Sequence, residues 1–170
     1  TANAGLRAIG NMSTDDANVA PLVECGAIVA MVQCVRFYND TSATQGQLSA
    51  DARDVLEVSL QVVANLASLE QDDPVSARDP VSGVVVGRFE SARQALLHQD
   101  AMSAVLEVAE AFPTFASLCM ESVDALTNLA FDPKVAGVMA HNERVLKVLL
   151  DVLRSKTFAY HADVVLSAAR

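Results

Sequence analysis

The chain has 170 residues, 52% of them hydrophobic, and carries a formal charge of −9 with no tryptophan. This length and apolar content predict a folded domain with a core and exclude an intrinsically disordered chain. The negative charge disfavours nucleic acid and anionic lipid surfaces as partners, because both repel an acidic protein.

We expect no membrane insertion, because no apolar run approaches the roughly 20 residues of a spanning helix. We also expect a cytoplasmic location, because no secretory leader is recognisable. Association with the cytoskeleton or an organelle stays open.

Apolar residues recur at spacings of three and four along almost the whole chain, and this periodicity predicts an all-α fold. Breaks occur where turn-forming and helix-capping residue types cluster, and they divide the chain into about eight short helices. In chain order the breaks fall at 13–16, 39–46, 71–87, 112–113, 131–133 and 155–157. The segment 71–87 repeats Asp-Pro-Val-Ser and ends in "GVVVG", the one short apolar run without helical spacing, and we expect a surface loop there.

One helical pattern occurs three times, an apolar stretch that ends in Asn followed by Leu or Met. The copies are "GLRAIGNM" at 5–12, "SLQVVANL" at 59–66 and "SVDALTNL" at 122–129. They place Asn11, Asn65 and Asn128 in the same slot. Such self-similarity is typical of short amphipathic helices that become stable only when copies stack on one another.

The residues after each Asn also follow one order: an acidic turn, a short apolar helix, a turn residue and a longer helix. The turn residues are Gly26, Asp100 and Asn142. Gly, Asp and Asn enter left-handed backbone at the least cost. We therefore expect the same tight helix-to-helix turn at all three positions.

The first copy and its surroundings, "NAGLRAIGNMSTDDANVAPLVECGAIVAMVQCV" at 3–35, resemble the armadillo repeat. The matching features are a helix that ends in Asn-Met, a short helix with Val19, Leu22 and Val23, and Gly-Ala-Ile at the start of an apolar second helix. The resemblance implies an all-α, right-handed α-solenoid of about three to four stacked three-helix repeats. Its third helices would line a concave groove.

On this interpretation residues 1–170 are a single armadillo-type domain. It divides into a partial repeat 1–13, a repeat 14–68 with an inserted loop 39–50, a repeat 69–131 with an inserted loop 71–87, and a truncated repeat 132–170. The insertions account for Asn-to-Asn spacings of 54 (11 to 65) and 63 (65 to 128) residues, since armadillo units have roughly 40–47. Neither end has a polar capping repeat, so we expect a piece of a longer array.

The groove is the predicted site, because armadillo domains hold linear peptides there with amide side chains. An Asn amide offers an acceptor and two donors, so a row of them can pair with the backbone of an extended ligand. Reading backward from each Asn at four-residue spacing gives the side chains that share its helix face. The candidate groove residues are Asn11, Asn65, Asn128, Arg7, Gln61, Asp124 and Glu57, with Asn3, Asp15, Met120 and Asp132 as further members of the stripe.

A second interpretation of the Asn residues carries equal weight. An Asn near a helix end can bond the backbone of the adjacent repeat and simply hold the stack together, because buried polar groups need partners. The carboxylates on the stripe suggest a basic ligand, although a solvated helix face is the commoner cause of such charges.

Nuclear-import armadillo proteins carry Trp one turn before the Asn. Arg7, Gln61 and Asp124 occupy that slot here, which disfavours binding of nuclear localisation signals.

No catalytic or metal-binding pattern is present. The three His residues are scattered, Gly-rich phosphate loops are missing, and Cys25, Cys34 and Cys119 lie in apolar helical surroundings that predict buried thiols. We therefore expect a non-catalytic scaffold without a cofactor that binds a protein or linear peptide in its groove. The alternative is a structural subunit of a large cytoskeletal or ciliary assembly that uses the convex face or the inserted loops.

Overall fold

The computed structural model describes residues 2–68, 75–78, 81–89 and 91–155. Its first half contains α1 (Ala2–Met12), a 3₁₀ turn (Asp16–Asn18), α2 (Val19–Glu24), α3 (Ala27–Gln45) and α4 (Ala50–Ser68). Strands β1 (Val75–Arg78) and β2 (Val85–Phe89) follow. The second half contains α5 (Ala92–His98), α6 (Ala101–Ala111), α7 (Ala116–Leu129), α8 (Pro133–Ala140) and α9 (Glu143–Arg154). The fold is thus helical as predicted, apart from one pair of strands.

The helices recur in three groups along the chain, and each helix packs against the next member of its own group. The first helices are α2, α5 and α8, the second helices are α3, α6 and α9, and the third helices are α1, α4 and α7. The contact between α4 and α7 is the most extensive in the described part of the fold. Within one unit, α3 packs on α4 and α6 on α7.

The hydrophobic core runs between the second and third helices. Ile28 of α3, Leu60 of α4, Leu106 of α6 and Leu126 of α7 are almost completely buried in one continuous cluster. Because α4 and α6 have neighbours on both sides, apolar residues cover most of their circumference. These residues include Leu56, Val62, Val63 and Leu66 in α4.

The predicted left-handed turn is present at two of its three positions. Gly26 (φ 88°) and Asp100 (φ 60°) both adopt left-handed backbone just before a second helix. The prediction for Asn142 is wrong, since its backbone is extended (φ −96°, ψ 105°). Its side-chain oxygen accepts hydrogen bonds from the backbone N–H groups of Arg144 (3.0 Å) and Val145 (3.4 Å). Asn142 is therefore an ordinary N-cap that needs no left-handed conformation.

The predicted inserted loop 39–50 is mostly helix. Helix α3 continues to Gln45 and ends at Gly46, which is left-handed with φ 64°. The hydroxyls of Thr41 and Thr44 donate to backbone carbonyls one turn earlier, so these turn-forming residues are accommodated inside the helix. Tyr38 and Leu48 pack against the core on either side of this segment, and such tertiary contacts can override a low helix propensity.

The predicted surface loop 71–87 contains part of an antiparallel β-hairpin. Val75 pairs with Phe89 and Ala77 with Gly87, and a bulge separates Ala77 from Arg78. The strands contact the first helices α2 and α5, while Val81 and Val84 between the strands are exposed. Both Asp-Pro pairs of the segment, and the end of the predicted truncated repeat 132–170 from residue 156 on, lie outside the described residues.

The three cysteines differ in exposure, so the prediction of three buried thiols holds for one of them, holds in part for the second and is wrong for the third. Cys119 is buried, Cys34 is half-buried and Cys25 is exposed at the end of α2. Burial raises the pKa of the Cys119 thiol to about 11 and also raises the pKa of Cys34. Cys25 lies outside the core because it is the C-terminal cap of a short helix.

Candidate functional site

The three recurring Asn residues lie near the C-terminal ends of the neighbouring third helices α1, α4 and α7. Asn65 Nδ2 donates a hydrogen bond of 3.1 Å to Ser13 Oγ, just after α1. Asn128 Nδ2 donates one of 2.9 Å to the backbone carbonyl of Ala64 in α4. Each of these amides therefore ties its helix to the preceding third helix. This is the stacking interaction that sequence analysis weighed against ligand binding.

Four of the predicted groove residues meet in one cleft between α1 and α4. Arg7 and Asn11 contribute from α1, and Gln61 and Asn65 from α4. Gly10, Thr14 and Val58 complete the lining of a cleft of about 180 Å³. Asn11 and Gln61 are exposed, whereas Asn65 is half-buried because its amide reaches toward Ser13. The cleft thus presents two solvent-facing amides on opposite walls.

Arg7 is held at the edge of the cleft by polar groups from both walls. Its Nε donates a hydrogen bond of 2.9 Å to Asn3 Oδ1, one turn earlier on α1. Its Nη2 lies 3.7 Å from Asp54 Oδ2 on α4. Both charged groups are well exposed, so this ion pair contributes little to stability and leaves the guanidinium free to exchange partners.

Two more of the predicted residues, Glu57 and Asp124, form an acidic cluster with Glu121 between α4 and α7. Glu57 accepts a hydrogen bond from Ser117 Oγ and lies 3.6 Å from Arg53 Nε. Burial, and then the charges of Asp124 and Glu57, raise the pKa of Glu121 to about 7. Ionisation of Glu121 within this cluster therefore costs free energy.

Sequence analysis missed Glu121, although a signal for it was present. The stripe was traced at a strict four-residue spacing, which selects Met120, Asp124 and Asn128. A helix face also includes positions three and seven residues away, and Glu121 stands at those distances from Asp124 and Asn128. Met120 is instead half-buried against Cys119 and Val152.

Two other members of the stripe do not face the groove but cap turns. Asp15 Oδ1 accepts a hydrogen bond of 3.0 Å from the backbone N–H of Ala17. Asp132 is buried at the N-terminus of α8, where it accepts bonds from Lys134 and Val135. An acidic residue just before a helix satisfies free N–H groups there, which explains both acidic turns.

Asp132 also links two neighbouring first helices. Its Oδ2 accepts hydrogen bonds from Ser91 Oγ (3.1 Å), the N-cap of α5, and from Gln94 Nε2 (3.3 Å). Burial would raise the pKa of Asp132, but the hydrogen bonds from Lys134, Ser91, Val135 and Gln94 outweigh it and hold the pKa below its ordinary value.

Cavities larger than the cleft between α1 and α4 lie elsewhere among the described residues. One of about 390 Å³ lies between α6 and α9, and one of about 550 Å³ lies near the C-terminal ends of α3 and α6. None of the predicted groove residues lines either of them. Within the described residues, no group of His, Cys, Asp and Glu side chains could hold a metal ion, and no helix could span a membrane.

Comparisons of the chain with protein-family models, with curated proteins and with solved structures find no match.

Proposed function

We propose that this protein is a non-catalytic interaction module of the armadillo type, which binds an extended partner polypeptide along its row of third helices. The observation that carries the proposal is the cleft in which Arg7, Asn11, Gln61 and Asn65 meet. The recurring Asn pattern, the armadillo resemblance and four-residue spacing predict these residues together, and they come from helices separated by about 50 residues of chain.

The solenoid architecture is part of this proposal, and the order of contacts supports it. First, second and third helices each pack on the next member of their own group, as expected when one three-helix unit is stacked on another. Left-handed residues at Gly26 and Asp100 begin the second helices of two successive units. The chain is then a series of equivalent layers with one continuous polar face.

An extended peptide suits the spacing of this face. Packed helices lie about 8–10 Å apart and an extended chain rises about 3.3 Å per residue, so successive third helices meet roughly every third ligand residue. Asn11 and Gln61 offer amides that can pair with ligand backbone whatever its side chains. Asn65 and Asn128 hold the helices at that spacing through their bonds to Ser13 and Ala64.

We propose a basic partner, because the acidic cluster continues the cleft toward α7. Glu57 stands on the same helix as Gln61, one turn away, and Asp124 stands one turn before Asn128. A ligand that runs from the cleft across α4 would therefore bring its next residues to carboxylates. Lys or Arg at those ligand positions would offset the mutual repulsion of Glu57, Glu121 and Asp124.

A displayed library of unstructured peptides tests the function. We expect selection of peptides rich in Lys and Arg that bind the wild-type chain, followed by fluorescence anisotropy on variants. Asn11→Ala combined with Gln61→Ala should weaken binding about thirtyfold, because each lost hydrogen bond contributes about 1 kcal/mol and about 1.4 kcal/mol is a factor of ten. The matched control is Gln33→Ala combined with Gln45→Ala, two exposed amides on α3.

Equal loss in both double variants, or none in either, would contradict groove binding. The alternative function is a fixed contact in a large assembly, and the exposed side chains of Val81 and Val84 between the hairpin strands favour it. On this alternative, Val81→Ser combined with Val84→Ser would abolish binding of the assembly partner. Asn11→Ala combined with Gln61→Ala would leave that binding unchanged.

A further inference from the structure

The cavity near the C-terminal ends of α3 and α6 is separate from the proposed groove. It has a volume of about 550 Å³ and is lined by the last turn of α3, the end of α6 and the segments that lead from them to α4 and α7. Small-molecule sites commonly have about 300–1,000 Å³ and mostly apolar walls. The cavity therefore has the size of a ligand site.

One wall of this cavity is aromatic. Phe112 and Phe115 stand edge to face, with ring centroids 6.1 Å apart and an interplanar angle of 85°. Phe112 and the nearby Leu48 also pack against the core, which holds both in place. Such a wall suits a planar apolar molecule, because aromatic rings pair through their faces and edges.

The lining of the cavity excludes ionic ligands. None of the residues that form it carries a charge, and its polar side chains are the Ser42 hydroxyl and the Gln47 amide. A charged ligand would lose its hydration there without gaining a counter-charge. The fitting ligand is therefore neutral.

The wall formed by α3 leads to a buried acceptor. Ser42, Ala43 and Gly46 line the cavity, and Ser42 is only 3% exposed. Asn39 stands three, four and seven residues before them, so all four lie on one side of the helix. Asn39 is thus one turn further into the fold on the face that lines the cavity, and it is 8% exposed.

The Oδ1 atom of Asn39 has no hydrogen-bond donor among the described residues. A buried acceptor without a donor is unfavourable, and native structures satisfy almost all such groups. A ligand N–H or O–H that reaches this atom would remove the cost. The orphaned acceptor thus specifies one donor on the ligand.

We propose that this cavity binds a neutral, planar aromatic small molecule with one hydrogen-bond donor, of the indole or phenol class. Its rings lie against Phe112 and Phe115, and its donor points along α3 to Asn39 Oδ1. The site is independent of the peptide groove, because none of the predicted groove residues lines the cavity.

Indole and benzofuran test the proposal, because they have nearly the same shape and only indole carries an N–H donor. Titration of the 170-residue protein with each probe, followed by proton–nitrogen correlation NMR, measures affinity and position together. We expect saturable shifts of the backbone amide signals of 42–48 and 111–115. Indole should bind about fivefold more tightly, because benzofuran leaves Asn39 Oδ1 without a donor.

Two variants separate the acceptor from the cavity itself. Asn39→Leu removes the acceptor at a similar side-chain size and should bind both probes with equal affinity, a result that a merely structural role of Asn39 would not produce. Ala43→Phe introduces a ring into the cavity from an exposed position and should weaken binding of both probes at least tenfold. The matched control is Gln45→Phe, at an exposed residue outside the lining, which should change neither affinity.

Circular dichroism should show an unaltered helix content in each variant. Absence of saturable shifts, or shifts centred elsewhere in the protein, would overturn the proposal. Equal affinity of the wild type for indole and benzofuran would leave the Asn39 acceptor to water and would also overturn it. That comparison uses the wild-type protein alone, so it decides the question even if Asn39→Leu fails to fold.

Discussion

Glu121 is the side chain whose protonation links folding most directly to pH. Its folded pKa of about 7 lies above the ordinary value of a Glu, so the folded state binds more protons than the unfolded state between about pH 4.5 and 7. The free energy of unfolding therefore falls as the pH rises from about 4.5 to 7, because the folded protein must give up a proton that it binds more tightly than the unfolded chain does. At neutral pH the ionised carboxylate therefore costs the fold free energy, which fits a role in attracting positive charge.

Glu121→Gln should increase stability in a pH-dependent way. We expect little difference from the wild type near pH 4, where the carboxyl is neutral in both states. The gain should reach about 1 kcal/mol by pH 8, after a discount for the solvent that reaches this half-buried group. Urea denaturation across this pH range measures it, and a difference that is constant from pH 4 to 8 would contradict the assignment.

The candidate site could be predicted in part because helical spacing is a local property. Arg7, Asn11, Gln61 and Asn65 share a cleft since each pair stands four residues apart on its own helix. Stacking bonds were one of two interpretations of the recurring Asn residues, but the sequence could not decide between the two or identify Ser13 and Ala64 as the partners of Asn65 and Asn128. These bonds depend on the rotation and translation of one helix against another, which side-chain spacing within a helix does not specify.

At the scale of single elements, helix ends depend on the conformation of one residue, and the same residue type can end a helix in different ways. Gly26 and Asp100 use left-handed backbone, whereas Asn142 uses extended backbone and its side chain. The sequence predicts a turn at all three positions because these residue types suit both conformations. The β-hairpin was missed for a related reason, since pairing between 75–78 and 85–89 is not visible in either segment alone.

Substitutions at two helix starts should separate the two conformations. Asn142→Ala should lower the free energy of unfolding by about 1 kcal/mol through loss of the cap, and Asn142→Gly by only a few tenths. Gly26→Ala should cost about 1–2 kcal/mol, because φ 88° places Cβ against the backbone. Urea denaturation measures all three. If Asn142→Gly stabilised the protein, the extended cap would be the wrong description.

At the scale of the whole molecule, the hydrogen bonds and the ion pair between units matter because each joins elements that are distant in sequence. Asp132 binds the start of α8 and also Ser91 and Gln94 at the start of α5. Asn65, Asn128 and the Arg144–Glu110 pair make the corresponding ties in the other two groups of helices. Directional bonds of this kind fix the register between layers, which apolar contact leaves loose.

Asp132→Ala should therefore destabilise the whole fold. We expect a loss of about 2 kcal/mol at pH 7, because largely half-buried donors at the starts of α5 and α8 lose a charged acceptor. Since the folded pKa of Asp132 is lowered, the stabilisation is present above the unfolded pKa and is lost as the pH falls through the folded pKa. The difference between wild type and variant should thus shrink below about pH 4. Asp15→Ala, which removes an exposed cap, is the control and should cost less.

Helices pack on the equivalent helix of the next unit, so the molecule need not unfold in a single cooperative step. The main contacts of α8 and α9 are with each other and with α5 and α6, whereas the cleft is built on α1 and α4. Transient detachment of α8 and α9 would expose their amide groups to exchange and their backbone to proteases while the cleft between α1 and α4 stayed assembled. Detachment of α8 and α9 and opening of the cleft between α1 and α4 are then separate events with separate free energies.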